Sequence, residues 1–247
     1  MERNNSEPQP IGRSMRAIQE SILSRAPVAG PVSPKAPPAS DPWDSVVKPT
    51  SPYHRCTLDN YEATTDEQKR VLEGTREYAS DIHARRKQPT GAMWFGSVGT
   101  GKDHLALGVL RIAKAAKYSC KVVFGEQFRS QTREVIMSDD QSEEKFLRQF
   151  HQDFLLLSDP IPVRGELTPT QSDALMSVMR SRIELGLPTL VTVNVLNRYD
   201  LAGNIISRSR QEAEDRMGLP TYDRMAMGSY VFECQWKSHR KPERFFK

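Results

Sequence analysis

The segment from Gly96 to Lys102 combines three glycines and one lysine in a spacing that suits phosphate binding. An apolar stretch, Ala92–Phe95, precedes it, and apolar residues at helical spacing follow it from Leu105 to Ala113. Glycines let backbone N–H groups converge on an anion, and the N-terminus of the following helix adds positive potential. The sequence therefore predicts a P-loop in which Lys102 reaches the β- and γ-phosphates of a nucleotide.

Asp103 stands where a P-loop normally places the Ser or Thr that holds magnesium. Two interpretations are open. Asp103 coordinates Mg²⁺ together with a second carboxylate, or it caps the N-terminus of the helix, where a negative charge is favourable. In the absence of a metal, a carboxylate beside a triphosphate would repel it.

The second carboxylate is Asp159, which ends an apolar run at Leu155–Leu157 and is predicted to hold Mg²⁺. ATPases of this kind usually follow that Asp with a Glu that polarises the attacking water, but the next residue here is Pro160. Loss of a general base typically costs about 10²–10⁴ in rate, so we expect weak hydrolysis. Glu166 could replace the missing general base if its loop folds back toward the site. The alternative is that Glu166 is an ordinary solvated residue of the loop.

Asn194 ends the fourth predicted strand. A polar side chain at that position can contact the γ-phosphate or the attacking water, and we include it among the candidate catalytic residues. The alternative is an Asn that caps the next turn.

Five predicted strands alternate with helices, which predicts a parallel sheet that binds its ligand at the C-terminal ends of the strands. We expect an α/β fold of the P-loop NTPase type, with three layers and a five-stranded parallel sheet. The predicted strands are 91–95, 121–124, 154–157, 189–195 and 230–232. The predicted helices run from Thr64, capped with Glu67, to Lys87, from the P-loop to Lys117, over 126–137, over 142–151, and from Thr168 to Gly186.

The domain organisation follows from composition. Residues 1–53 contain ten of the 17 prolines and few large apolar groups, which predicts a disordered arm. Within it, residues 11–26 have apolar residues at helical spacing, as in a transient helix or a helix that docks on a partner. Residues 54–240 are the predicted ATP-binding domain, and residues 241–247 form a basic aromatic tail.

Composition also limits the class of protein. No apolar stretch reaches the roughly 18 residues of a membrane span, so we expect no membrane partner. The three cysteines are scattered, which argues against a zinc site or a disulfide framework and favours the cytoplasm. The net charge of +4 is compatible with nucleic-acid binding without requiring it.

Four blocks of the sequence form an ordered set: Leu58–Tyr61, Gly99–Ala106, Gln141–Leu147, and Asp223–Met225 followed by Gly228. In these blocks the chain resembles the DnaC/IstB-like replicative helicase loaders, a branch of the AAA+ ATPases. The resemblance covers roughly residues 54–240, and its P-loop block is the specific one. The chain departs from the family at Pro160, and at Pro220, where the family has an earlier arginine.

The resemblance implies that the chain binds ATP and Mg²⁺. It also implies that Tyr61 lies near the adenine. The implied binding residues are Tyr61, Gly96, Ser97, Val98, Gly99, Thr100, Gly101, Lys102, Asp103 and His104. Arg224 is the implied arginine finger, which would complete a neighbour's site in a homo-oligomer formed with ATP. The alternative is a structural arginine.

The resemblance further implies a replicative helicase as partner and contact with single-stranded DNA. Candidate DNA contacts are Phe128, Arg129 and Arg133, and the tail Trp236–Lys247, all of which could equally belong to a solvated face. Two other functions stay open: a nucleotide switch that does not hydrolyse ATP, and an ATPase partner of a transposase of the IstB type.

Overall fold

Five parallel strands form the central sheet in a computed structural model of the chain, which describes residues 41–137, 143–162, 166–195, 198–199, 205–207, 209–226 and 228–239. The strands are β1 (Ala92–Gly96), β2 (Cys120–Phe124), β3 (Phe154–Ser158), β4 (Thr189–Asn194), β5 (Arg198–Tyr199), β6 (Ile205–Ser207) and β7 (Tyr230–Cys234). The sheet has the order β2-β3-β4-β1-β7, and all its neighbours pair in parallel. The predicted α/β fold with a five-stranded parallel sheet is confirmed.

The small antiparallel pair of β5 and β6 was not predicted. Strands of two and three residues carry too little alternation to be recognised in a sequence. The predicted helix at 11–26 and the basic tail 241–247 lie outside the described residues.

The helices are α1 (Asp66–Ser80), α2 (Ile82–Lys87), α3 (Lys102–Ala115), α4 (Gly125–Met137), α5 (Glu143–Arg148), α6 (Pro169–Glu184), α7 (Ser209–Met217) and α8 (Leu219–Ala226). The first helix begins one residue later than the predicted Thr64–Glu67 cap. Thr65 is the N-cap and Gln68 completes the capping box, because the Gln68 carbonyl accepts from the backbone N–H groups of both Thr64 and Thr65.

The helices cover both faces of the sheet, so its central strands are buried throughout. Trp94 of β1 packs on one side with residues of α1 and α3. Its neighbours Met93 and Phe95 pack on the other side with residues of α4, α5, α6, α7 and α8. This three-layer arrangement explains why β1 and β3 lack polar alternation.

Residues 41–53, which the sequence assigned to the arm, belong to the compact unit that begins at Asp41. Two short 3₁₀ turns, Pro42–Ser45 and Pro52–Arg55, lie against α3. Trp43 is 1% exposed, donates from Nε1 to the carbonyl of His54 at 3.1 Å, and lies under the guanidinium of Arg111. Trp43 and the buried Val47 belong to the same hydrophobic cluster as residues of α3, and this burial holds the proline-rich stretch in place.

No helix in the described part of the chain is both long and apolar enough to cross a membrane.

Candidate nucleotide-binding site

A cavity of about 330 Å³ opens at the C-terminal edge of the sheet. The strand ends are level there, because Gly96 is in register with Asn194 and with Cys234, and Ser158 with Thr192. The cavity is lined by Pro52, Tyr53, Cys56, Val98, Gly99, Gly101, Lys102, Asp103, His104, Asp159, Asn194 and His239. The predicted P-loop, the predicted metal carboxylates and Asn194 therefore meet at one place.

The loop between β1 and α3 depends on its glycines. Gly99 and Gly101 have φ of 80° and 86°, in the left-handed region that other residues rarely adopt. A Cβ at Gly99 would lie 2.1 Å from Ser238 Oγ, and one at Gly101 would lie 2.7 Å from Cε2 of Tyr61. The first intrahelical bond of α3 runs from the Leu105 N–H to the Gly101 carbonyl. The N–H groups in the first turn of a helix have no acceptor within the helix, which makes a helix N-terminus suited to an anion.

Lys102 is buried beneath this loop, with 4% of its surface exposed. Its ammonium donates hydrogen bonds to the carbonyls of Gly96 and Ser97 at 3.1 and 2.6 Å. The lysine is thus held within the loop and presents a positive charge to the cavity that it lines.

Asp103 joins the P-loop helix to the strand ends. Its Oδ1 accepts a hydrogen bond from Ser158 Oγ at 2.8 Å and one from Thr192 Oγ1 at 2.7 Å. The sequence did not predict these two hydrogen bonds. They give Asp103 a structural role in addition to the two interpretations, a metal ligand or a helix cap. A carboxylate on α3 faces hydroxyls on β3 and β4.

Asp159 follows β3 in a left-handed conformation, with φ of 49°. Its backbone N–H donates to the carbonyl of Thr192 at 3.0 Å, and the Asn194 side-chain amide donates to its Oδ2. Gly125 allows this turn, because a Cβ there would lie 1.7 Å from the Asp159 carbonyl oxygen. A non-glycine residue held at positive φ is strained, and such strain is frequent at functional sites.

Tyr61 contacts the P-loop, and His104 packs against Tyr61. The Tyr61 hydroxyl donates to the carbonyl of Thr100 at 3.0 Å, and its ring lies edge-on to that of His104. His104 Nε2 lies 2.9 Å from the carbonyl of Thr57 and 2.7 Å from Asn60 Oδ1, so this nitrogen carries the proton. Burial lowers the pKa of His104, which keeps the ring neutral at pH 7.

The fold is shared with replication proteins of known structure. The DnaC helicase loader superposes with a TM-score of 0.60 and 21% identity over 74% of this chain and 98% of that one. DnaI gives 0.52 and 18% over 75% and 91%, and the replication initiator DnaA bound to AMPPCP and single-stranded DNA gives 0.57 and 17% over 74% and 50%. The chain therefore has the same fold as the DnaC helicase loader. No family model and no curated protein matches its sequence.

Within this DnaC-like fold, Pro160 follows Asp159, the predicted metal ligand, and is buried. Its carbonyl accepts a hydrogen bond from Arg129 at 3.3 Å. Glu166 is exposed. The residue that directly follows Asp159 is therefore a proline, whose side chain is neither an acid nor a base.

Arg224 lies at the opposite edge of the sheet of this DnaC-like domain. Its Nη1 is 3.1 Å from Met176 Sδ, and it lines a second cavity with Gly91, Thr189 and Ser229, at the N-terminal ends of the strands. A strand of five residues separates the two edges by roughly 16 Å. A role for Arg224 at a nucleotide would therefore be in another copy of the chain.

Two of the predicted aromatic DNA contacts, Phe128 and Trp236, are wrong. Phe128 is fully buried and packs edge-on to Phe150, and Trp236 is 9% exposed and donates from Nε1 to the carbonyl of Thr100. Neither ring can stack on a base. Arg133 is exposed, and residues 240–247 of the tail lie outside the described residues.

Four residues that line the cavity were missed: Pro52, Tyr53, Cys56 and His239. For the first three, the Ser51–Pro52 pair was a usable signal, because Ser followed by Pro is typical of a helical turn start and Ser51 caps the second 3₁₀ turn. No local signal marks His239, which reaches the cavity only because β7 pairs with β1.

Proposed function

We propose that this chain is an ATP-binding AAA+ protein of the helicase-loader type that acts in DNA replication. The observation that carries the proposal is the convergence of Lys102, Asp159 and Asn194, from three separate elements, on one cavity beside a glycine-rich loop. The likeness of the fold to DnaC and DnaI supports the replication role.

The residues present fit Mg²⁺ and a triphosphate. Glycines without Cβ atoms shape the loop, and Lys102 supplies a cation to the phosphates. Asp103 and Asp159 would hold Mg²⁺, since carboxylates are the ligands this ion prefers. Bound Mg²⁺ would neutralise phosphate charge, which matters because two carboxylates in the cavity would otherwise repel the nucleotide.

Hydrolysis is expected to be weak, because Pro160 offers no base to the attacking water. Asn194 would orient the Asp159 carboxylate through its amide. Because the phosphate and metal ligands do not depend on a base at position 160, nucleotide binding should survive while turnover is slow. This supports a second function, a nucleotide switch in which ATP occupancy changes shape or assembly without a productive cycle.

The partners belong to the same proposal. One structure with this fold is described as bound to AMPPCP and single-stranded DNA, which supports contact with DNA here. Arg224 does not line the nucleotide cavity of its own chain, so its proposed role as an arginine finger requires a neighbouring copy in a homo-oligomer. The protein partner is a replicative helicase or, in the alternative function, a transposase.

Calorimetry with Mg–ATP tests the binding site. We expect the wild type to bind, Lys102→Ala to lose at least about tenfold in affinity, and the exposed Lys87→Ala to bind like the wild type. Absence of heat with the wild type would remove the proposal.

Two further measurements separate the functions. Light scattering with ATP and with a non-hydrolysable analogue distinguishes a switch, which responds equally to both, from an ATPase cycle. Cross-linking mass spectrometry of the tagged protein from its own cell identifies the partner as a helicase or a transposase.

A further inference from the structure

The segment Gln235–His239, here called the C-terminal segment, lies along the outside of the P-loop. The Ser97 hydroxyl donates to Gln235 Oε1 at 3.1 Å, and the Trp236 indole donates to the carbonyl of Thr100 at 2.9 Å. The backbone N–H of His239 donates to the carbonyl of Gly99 at 2.8 Å. Three residues of the loop, Ser97, Gly99 and Thr100, are therefore attached to the C-terminal segment.

The last of these bonds brings the His239 ring to the cavity. His239 lines it together with Gly99, Gly101 and Lys102, and its ring lies edge-on to Tyr61 at 5.5 Å between centroids. His239 is an exposed residue at the cavity, so a ligand can reach it.

Neighbouring groups decide which ring nitrogen of a neutral His239 carries the proton. Gln68 Nε2 lies 3.4 Å from His239 Nε2, and the Gln68 carbonyl already accepts from Thr64 and Thr65, which fixes the orientation of the amide. Because an amide nitrogen only donates, His239 Nε2 accepts. The Tyr61 hydroxyl, 3.4 Å away, gives its proton to Thr100. Nδ1 is then the donor nitrogen of the ring.

We propose that His239 is a nucleotide-binding residue that donates a hydrogen bond from Nδ1 to the phosphate chain. The inference rests on the proposed function, because it assigns a further contact in the same site. Among the described residues that line the cavity, Lys102 is the one Lys or Arg side chain and two are carboxylates, so a triphosphate gains from an additional donor.

Calorimetric titrations with Mg–AMPPCP and with magnesium tripolyphosphate test the assignment, since the second probe has no base or sugar. We expect His239→Ala to weaken both probes about tenfold, the effect of losing one hydrogen bond to a charged group. His239→Asn can place an amide N–H near the Nδ1 position and should recover part of the affinity, whereas Lys237→Ala, an exposed change in the same segment, should bind like the wild type.

The outcomes are distinct. Equal affinity of His239→Ala and the wild type for both probes would overturn the inference and leave the proposed function intact. A loss confined to Mg–AMPPCP would also overturn it, because the contact would then be to the nucleoside. If the wild type binds neither probe, the proposed function fails first. Thermal unfolding of each variant verifies that the fold is retained.

Discussion

The Oδ1 atom of Asp103 accepts a 2.7 Å hydrogen bond from the hydroxyl of Thr192. This bond joins the first turn of α3 to β4, across 89 positions of the chain. Thr192 is fully buried, and its hydroxyl also accepts from the backbone N–H of Asp159. One polar chain thus connects the P-loop helix, the sheet and the backbone of Asp159, and it adds rigidity to the candidate site.

Asp103→Ala removes the acceptor of two buried hydroxyls, those of Ser158 and Thr192. We expect the free energy of unfolding to fall by about 1–3 kcal/mol in urea denaturation. Asp103→Asn should lose less, since its amide oxygen can still accept. Asp66→Ala, an exposed carboxylate in the first turn of α1, is the matched control and should change little. Equal losses for the two alanine variants would contradict this role of Asp103.

A comparison of Gly99→Ala with Gly218→Ala separates the cost of backbone strain at positive φ from the cost of a steric clash between the new Cβ and its neighbours. Both glycines have positive φ, 80° and 75°, but a Cβ at Gly218 meets nothing within 4 Å. Gly218→Ala should cost about 1–2 kcal/mol of stability. Gly99→Ala should cost more and weaken binding of Mg–AMPPCP, because its Cβ collides with Ser238. Adding Ser238→Gly should recover part of the loss; no recovery would show that strain alone acts.

Arg182 is a fully buried guanidinium that holds the N-terminal ends of the sheet. It donates to Thr189 Oγ1 and to the carbonyls of Phe150, Gln152 and Pro188. Burial lowers its pKa to about 9. Arg182→Met should lower the free energy of unfolding by about 3 kcal/mol or more, because buried carbonyls lose their donors.

The exposed Arg180→Met on the same helix is the control for that change and should be nearly neutral. A chemical denaturation midpoint for Arg182→Met within error of the wild type would show that water or repacking replaces the guanidinium.

Stability should fall as pH rises above 9. Burial raises the pKa of Cys56 from 9.0 to about 11 and that of Cys120 and Cys234 to about 12. Between pH 9 and 11 the unfolded chain has released these protons and the folded chain has not. The free energy of unfolding then declines, by up to about 1.4 kcal/mol per pH unit for each thiol.

Urea titrations at several pH values measure this slope. Replacing all three cysteines by alanine should flatten the decline without abolishing it, since burial also raises the pKa of Tyr61 and Tyr78. An unchanged slope in the triple variant would show that the thiols do not carry the effect.

Pro160→Glu places a carboxylate beside Asp159, where the proposed function expects the missing base. Steady-state phosphate release with Mg–ATP should rise at least about tenfold, within the range that a general base supplies. Pro162→Glu, two residues further on, is the control. The same low rate in Pro160→Glu and the wild type would mean that hydrolysis is limited elsewhere.

Several elements were predictable because their signals are local. The apolar run Leu155–Leu157 is buried as β3, and Thr168 caps α6 with Gln171 as its sequence indicates. The glycine spacing of the P-loop likewise matches its left-handed backbone. Each of these signals lies within a few residues of the structure that it specifies.

Other features depended on partners far away in sequence. Phe128 and Trp236 stand beside charged residues and suggested a DNA surface, but both are buried. Trp43 lies in a proline-rich stretch, yet it packs on α3. Composition describes the neighbourhood along the chain, whereas burial depends on which elements pack against a residue in space.

The sequence by itself determined the phosphate loop, the alternation of strands and helices, and the acidic end of β3, because backbone conformation and hydrophobic periodicity are properties of short segments. The tertiary structure decided that Asp103 accepts from Ser158 and Thr192, that His239 reaches the cavity, and that Arg224 lies at the far edge of the sheet. Strand order and register set those positions, and they arise from packing among segments that are distant along the chain.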